Sequence, residues 1–386
     1  MNEKKNVLII SYSPLHRDPR ILRQIQALKD DYNIQTLGST SPNVDDVDFF
    51  WIPDMPKCQN MFQKIHLGLQ IVFRKYKKVL SRNLNIETLL SYKYKKPDCI
   101  FANDWNGLYC AYMLKKQNNW SCRIYFDAHE YFPAYRNTIR WKIFERPLVN
   151  YALHLCRKQI TYMTSVCPTL ARMYEKYFKF DKGFVKIILN APDYEKDLVP
   201  TRISEKIQII HHGGAMRERQ LEKMIDMMKY LPADKYELTF MLVKNDASYY
   251  ETLVQRASKF SNIKFHDPVP FNEIPSFINM FDLGVYILDT EIINHRYALP
   301  NKFFEFVQAR LAIAIGSSPE MRDYTKKYNL GVSARSNQPK DLAEEILKLS
   351  KEDIMLFKEN SNKYAEELSA KKNVFDLKKI ADMIIK

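Results

Sequence analysis

The stretch ALPNKFFEFVQARLAIAIGSS, residues 298–318, decides how the chain is read. Pro300 suits the first turn of a helix that continues through residue 309. The apolar run Leu311–Ile315 that follows ends at Gly316 and two serines, and reads as a core strand. A helix feeding directly into a buried strand is the unit of a parallel α/β sheet. The question the stretch raises is why its helix, otherwise Phe and Val, keeps a carboxylate at Glu305.

The same rhythm extends in both directions. Upstream strand candidates are 6–13, 32–38, 48–52, 98–104, 123–129, 159–165 and 186–190. Helical patterns lie between them at 19–31, 107–117, 141–158 and 169–178. NAPDYEKDLVPTRISEK, residues 190–206, breaks the alternation with two prolines and several charges, and reads as a linker. The pattern restarts with strands at 207–214, 236–244, 262–267, 282–288 and 330–334. Helices at 219–231, 248–258 and 271–280, and two or three at the end, complete it. The expected fold is α/β: two Rossmann-like, doubly wound parallel-sheet domains facing a central cleft. The expected boundaries are 1–195, 196–365, and a terminal helix at 366–386 that packs back on the first domain.

Length and composition agree with two globular domains. The chain has 386 residues, 46% hydrophobic and 27% charged. No apolar run approaches the ~20 residues of a membrane span. The start, MNEKKNVLIISYS, reads as a first strand rather than a leader, which makes a cytoplasmic protein the expectation. Six cysteines show no C-x-x-C spacing and read as reduced packing residues. The net charge of +14 fits nucleic acid, anionic lipid or a phosphorylated substrate. Nucleic acid is the weakest of the three, because neither an RNP-type motif nor a zinc finger is present.

Four segments carry candidate chemistry. Near a helix start, Glu305 can accept two hydroxyl hydrogen bonds from a ribose while backbone N–H groups hold diphosphate oxygens. The alternative is a carboxylate that only complements the helix dipole. HHGGAMRERQLEKMID, 211–226, follows a strand and opens a helix, as a phosphate-binding turn does. YFDAHEYFPAY, 125–135, brings His129 and Glu130 to a strand end; a His there is also a common structural residue. SYSPLHRDPRILRQI, 11–25, opens a helix at Asp18-Pro19-Arg20. With 9 glycines in the chain, phosphate binding must lean on helix ends and arginines. The acidic run Asp45-Asp46-Val47-Asp48 reads as a solvated turn, and Walker, G-x-G-x-x-G and Ser-His-Asp patterns are missing. MFQKIHLGLQIVFRKYKKVLSRNL, 61–84, reads as one amphipathic helix. Ile65, Leu67, Leu69, Ile71, Val72 and Phe73 form its apolar side, and Arg74, Lys75, Lys77 and Lys78 its charge. It suits an anionic membrane surface, or else is an ordinary domain helix with a solvated basic face.

PNKFFEFVQARLAIAIGSSPEMRD resembles the donor-site segment of the family-four, GT-B-fold glycosyltransferases. By that resemblance Glu305 grips the ribose of a nucleotide sugar, and Pro300, Asn301 and Lys302 present the loop to the diphosphate and sugar. The family often has another Glu eight positions before this one, where Tyr297 stands, and a Gly-x-Pro where Arg310-Leu-Ala stands. Aligned with the family's G-R-x4-K-G turn, Arg219 takes the Lys position and Gly214 the Arg position, with Arg217 as a substitute for the missing Arg. Arg219 would then bind the diphosphate and offset the charge growing on the leaving group. The family's D-x-H-[ED] segment matches Asp127–Glu130. It implies that His129 approaches the donor sugar and that Glu130 positions the acceptor or helps with its proton. His16, Asp18 and Arg20 would face the acceptor.

The resemblance further implies a retaining, metal-independent transferase with no cofactor. Its donor would be a UDP- or GDP-sugar, and its acceptor a saccharide or polyprenyl-diphosphate-linked saccharide in capsule, exopolysaccharide or lipopolysaccharide assembly. Two alternatives are a non-hydrolysing nucleotide-sugar epimerase and a degenerate transferase acting as a non-catalytic partner.

Overall fold

The computed structural model describes residues 4–385. The chain divides into two compact units, one ending at residue 188 and rejoined from residue 373 onward, the other spanning 189–372. The expected divisions were at 195/196 and 365/366.

The first unit holds seven parallel strands: β1 (Asn6–Ile10), β2 (Asn33–Gly38), β3 (Val47–Trp51), β4 (Cys99–Asn103), β5 (Arg123–Ala128), β6 (Ile160–Ser165) and β7 (Val185–Ile187). Their order is β3-β2-β1-β4-β5-β6-β7, so the order of strand addition reverses between β1 and β4, which stay parallel. Alternate side chains of β1 enter opposite cores. Leu8 and Ile10 pack with the helices of one face, Val7 and Ile9 with those of the other. A strand buried on both faces must read as a continuous apolar run, as NVLII does. The helix Lys371–Ile385 sends Leu377, Ile380, Ala381 and Ile384 into the Val7–Ile9 core. Its three aliphatic side chains contribute about 1.5–3 kcal/mol each by burial.

The second unit holds six parallel strands: β8 (Ile207–Gly214), β9 (Tyr236–Val243), β10 (Ile263–His266), β11 (Leu283–Tyr286), β12 (Ala312–Ile315) and β13 (Gly331–Ser333). The order β10-β9-β8-β11-β12-β13 repeats the Rossmann pattern, with its reversal between β8 and β11.

Several expected elements differ. Residues 61–84 are not one helix. They form Met61–Val72 and Tyr76–Asn83, broken where Arg74 adopts φ 55°. The break turns Val79 and Leu80 into the core while Arg74, Lys75, Lys77 and Lys78 stay exposed. Residues 219–231 divide into a 3-10 turn Arg217–Arg219, a short helix Glu222–Met227 and a second turn, so Arg219 precedes the helix. The expected helix at 271–280 is a turn, Phe271–Glu273, and a short helix, Ile274–Ile278. The expected helix at 141–158 begins with a π turn, Trp141–Glu145. Pro300 is the capping residue before the helix Asn301–Gln308 rather than part of its first turn.

Residues 190–206 carry no helix or strand but are tied to the second unit. Arg310, fully buried at φ 59°, donates to Glu195 O at 2.5 Å and to Asn362 Oδ1 at 2.7 Å. A left-handed backbone favours glycine there. The arginine offsets that cost by satisfying carbonyl and amide oxygens on two other segments.

Candidate functional site

In the second unit the carboxyl end of β8 lies at the reversal of strand order, where ligands of such sheets bind. Gly213, at φ 125°, needs the freedom of glycine, and a Cβ there would stand 3.1 Å from Lys302 Nζ. A Cβ on Gly214 would meet Asn245 Oδ1 at 2.4 Å and Arg219 Nη1 at 3.7 Å. The glycine pair thus lets Lys302, Arg219 and Asn245 close on the strand end.

Lys302 lies in the first turn of the helix Asn301–Gln308 and is buried. Its Nζ stands 3.3 Å from His211 Nε2 and 4.1 Å from the Tyr286 ring centre. His211 Nδ1 is 2.9 Å from Val285 O. A carbonyl only accepts, so Nδ1 carries the proton and Nε2 offers its lone pair to the ammonium. Burial, then the charge of Lys302, holds the His211 pKa well below its usual value. Burial and then Arg219 also push the Lys302 pKa well down, against an opposing pull from Glu305. Glu305 is buried one turn along, its Oε2 3.4 Å from His212 Nε2. Burial and Lys302 push His212 down to about 3, so it is neutral and this approach is not an ion pair. Arg219 is half-buried, with Nη1 3.5 Å from Gly214 O.

Among the described residues, neither Lys302 nor Arg219 forms an ion pair with a carboxylate. Burying an unpaired ammonium costs several kcal/mol. An anion with several oxygens in this notch would supply the charge that both side chains lack in direct contact. Pro300 and Asn301, both half-buried, stand at the helix start beside Lys302. Arg217 is turned elsewhere: Nε donates to Asp246 Oδ2 and Nη2 to Ser248 Oγ, both at 3.0 Å. His211, His212, Asn245 and Tyr286 were not singled out from the sequence. The HHGG end of β8 was the signal for the first two.

In the first unit the carboxyl end of β5 presents a different network. Asp127 is buried and accepts from Arg20 Nε and Nη2 at 2.6 Å each, from Thr164 Oγ1 at 2.6 Å and from Gln24 Nε2 at 3.1 Å. Burial opposes its charge, but Arg20 and His129 outweigh that and hold Asp127 far below the usual carboxylate range. Arg20 therefore does not face an acceptor, as the sequence suggested; it is locked in a buried ion pair. Asp18 caps the helix Pro19–Leu28, accepting from the N–H groups of Arg20 and Ile21 and from Ser13 Oγ at 2.6 Å. His16 Nδ1 is 2.8 Å from Thr40 Oγ1.

His129 lies between two carboxylates, Nδ1 3.6 Å from Asp104 and Nε2 3.6 Å from Asp127. Burial lowers its pKa, but the two acids outweigh burial and raise it, which favours the imidazolium. Its Nε2 is buried without a hydrogen-bond partner. Glu130 is half-buried, and its carbonyl accepts from Tyr174 Oη at 2.7 Å. Asp104, missed in the sequence, follows β4 at φ 60°, and its Oδ1 accepts the His129 N–H at 3.2 Å. Burial raises its pKa against the opposing effect of His129.

Two parallel sheets of this order, in tandem, define the GT-B class of fold. No family model matches the chain, and no curated protein matches it. Among solved structures, sucrose-phosphate synthase from Thermosynechococcus elongatus is similar at TM-score 0.73 and 13% identity, over 99% of each chain. A glycosyltransferase from Rickettsia africae gives 0.69 and 11%, covering 100% of this chain and 99% of that one. HepE of Anabaena, solved with UDP-glucose, gives 0.69 and 12%, covering 98% and 99%.

Proposed function

We propose that this protein is a glycosyltransferase that moves a sugar from a UDP- or GDP-sugar to a saccharide or lipid-linked saccharide. The observation that carries the proposal is the buried Lys302 side chain beside Arg219, with no carboxylate in ion-pair contact with either. A donor diphosphate supplies that missing charge, and the two cations stabilise it further as the sugar bond breaks. Glu305, on the same helix as Lys302, accepts the ribose hydroxyls. The likeness to HepE, solved with UDP-glucose, supports a nucleotide-sugar donor.

The reading includes a retaining, metal-independent reaction, in which the acceptor hydroxyl attacks from the face the diphosphate leaves and a phosphate oxygen takes its proton. His129, held between Asp104 and Asp127, is the first unit's candidate residue for the substrate. The chain would serve in surface-polysaccharide assembly, seated on an anionic membrane by the exposed residues of 61–78. No helix among the described residues is long and apolar enough to cross a membrane.

Thermal-shift measurements against UDP-, GDP- and ADP-sugars test the donor class. One nucleotide series should stabilise the fold by mass action. No shift with any of them would contradict the proposal. Donor binding without transfer would favour a non-catalytic partner, and UDP release without an acceptor an epimerase.

A further inference from the structure

The first unit contains an open cavity of about 910 Å3 lined by residues of that unit alone. It lies among the helices Met61–Val72 and Tyr76–Asn83, the π turn Trp141–Glu145 and the helix after it. Its size is that of a small-molecule site. Leu67, Ile71, Leu80, Phe132, Trp141 and Leu148 give it an apolar wall. Lys57, Lys64 and Arg140 also line it, are exposed, and form no ion pair with a carboxylate among the described residues. Glu145, Arg82 and Asp104, the last of which touches His129, line it as well.

The surroundings are unusual for a soluble surface. Phe62 is 82% exposed and Ile139 76%, with Met61, Ile65 and Ile143 also exposed on the same two segments. The helix Met61–Val72 meets the π turn at Gly68, where a Cβ would be 3.5 Å from Phe144 Cε1 and near nothing else. An apolar wall, exposed apolar side chains on two of its segments and cations that outnumber the carboxylates in its lining match a long aliphatic chain ending in phosphate.

We propose that this cavity binds the aliphatic chain of a phosphorylated amphiphile, with Lys57, Lys64 and Arg140 on its phosphate. Naming the amphiphile as the lipid-linked acceptor rests on the transferase reading; the pocket itself does not.

Trp105 and Trp141 line the cavity and report on it. Farnesyl diphosphate, titrated below its micelle concentration into the full chain, should change their fluorescence saturably. Excess inorganic pyrophosphate, present throughout, fills the Lys302 notch and should not abolish the change. Gly68→Leu places a side chain in the cavity and favours the helix. It should weaken farnesyl diphosphate at least tenfold, leaving the response to nucleotide sugars and sedimentation with phosphatidylglycerol vesicles unchanged. Replacing Lys57, Lys64 and Arg140 with Gln should weaken farnesyl diphosphate but not farnesol. Absence of saturable binding, or undiminished binding in Gly68→Leu, would overturn the proposal. Parallel loss of vesicle and farnesyl diphosphate binding would assign the cavity to bulk lipid and overturn it too. Nucleotide binding without amphiphile binding would sink the pocket alone, and the reverse would sink the transferase reading alone.

Discussion

The carboxyl ends of β5 and β8 are strand ends in two sheets built on one plan, β8 at its sheet's reversal and β5 one strand beyond its own, and their charge balance is opposite. At the end of β5, Asp127 is met by a bidentate arginine, a hydroxyl and an amide. At the end of β8, Lys302 is also buried, but its direct contacts are an imidazole lone pair and an aromatic face, with the Glu305 carboxylate acting on it only beyond ion-pair distance. The first arrangement holds the fold together. The second leaves a charge without a direct carboxylate contact, and in the proposed function its partner is an anion from outside the chain. Burial of a charged side chain thus does not mark a site; burial without compensation does.

The comparison breaks most visibly through Arg20. Arg20→Ala leaves the buried Asp127 unpaired and should cost about 3–5 kcal/mol of stability, read from chemical denaturation. A loss under ~1 kcal/mol would mean the pair is not the clamp described. At the other strand end, Arg219→Gln should lower turnover by roughly 100-fold and nucleotide affinity by much less, because its charge matters most as the leaving group forms. Equal losses in both would reduce it to a binding residue. Glu305→Gln should weaken the nucleotide sugar about tenfold, the worth of about one charged hydrogen bond, with little change in melting temperature.

The pH dependence sharpens the contrast. Asp127 has a depressed pKa, so its contribution is present above the unfolded value near ~3.9 and is lost as pH falls further. Lys302 is also depressed, but for a cation the sign reverses. The unfolded chain holds the proton that the fold gives up, so free protein gains stability as pH rises toward the unfolded value near ~10.4. A bound diphosphate raises the Lys302 pKa again. Nucleotide binding in that window should take up protons, and calorimetry in buffers of different ionisation enthalpy measures them. Proton release would contradict the assigned charge.

Much of this was legible in the sequence, for physical reasons. Strands buried on both faces are written as unbroken apolar runs, so nearly every strand could be placed. The notch was half legible: Pro300–Lys302, Glu305 and Arg219 stood out, but the depth of Lys302 depends on Gly213 and Tyr286, which sequence spacing does not connect. Arg20 was misread because its partner is 107 residues away in sequence. Nothing local forecasts the turn at Arg74 or the left-handed backbone of Asp104, since neither residue is a glycine or proline.

The most direct test is calorimetric titration of UDP and GDP into the wild-type chain and Lys302→Met, with the melting temperature of each. Removing the ammonium should cost the preferred nucleotide about 1.5–3 kcal/mol of binding, roughly a 10- to 150-fold loss, while the melting temperature holds or rises. Equal affinity in the two proteins, or a variant that melts many degrees lower, would show that Lys302 serves the fold and that the notch is not a diphosphate site.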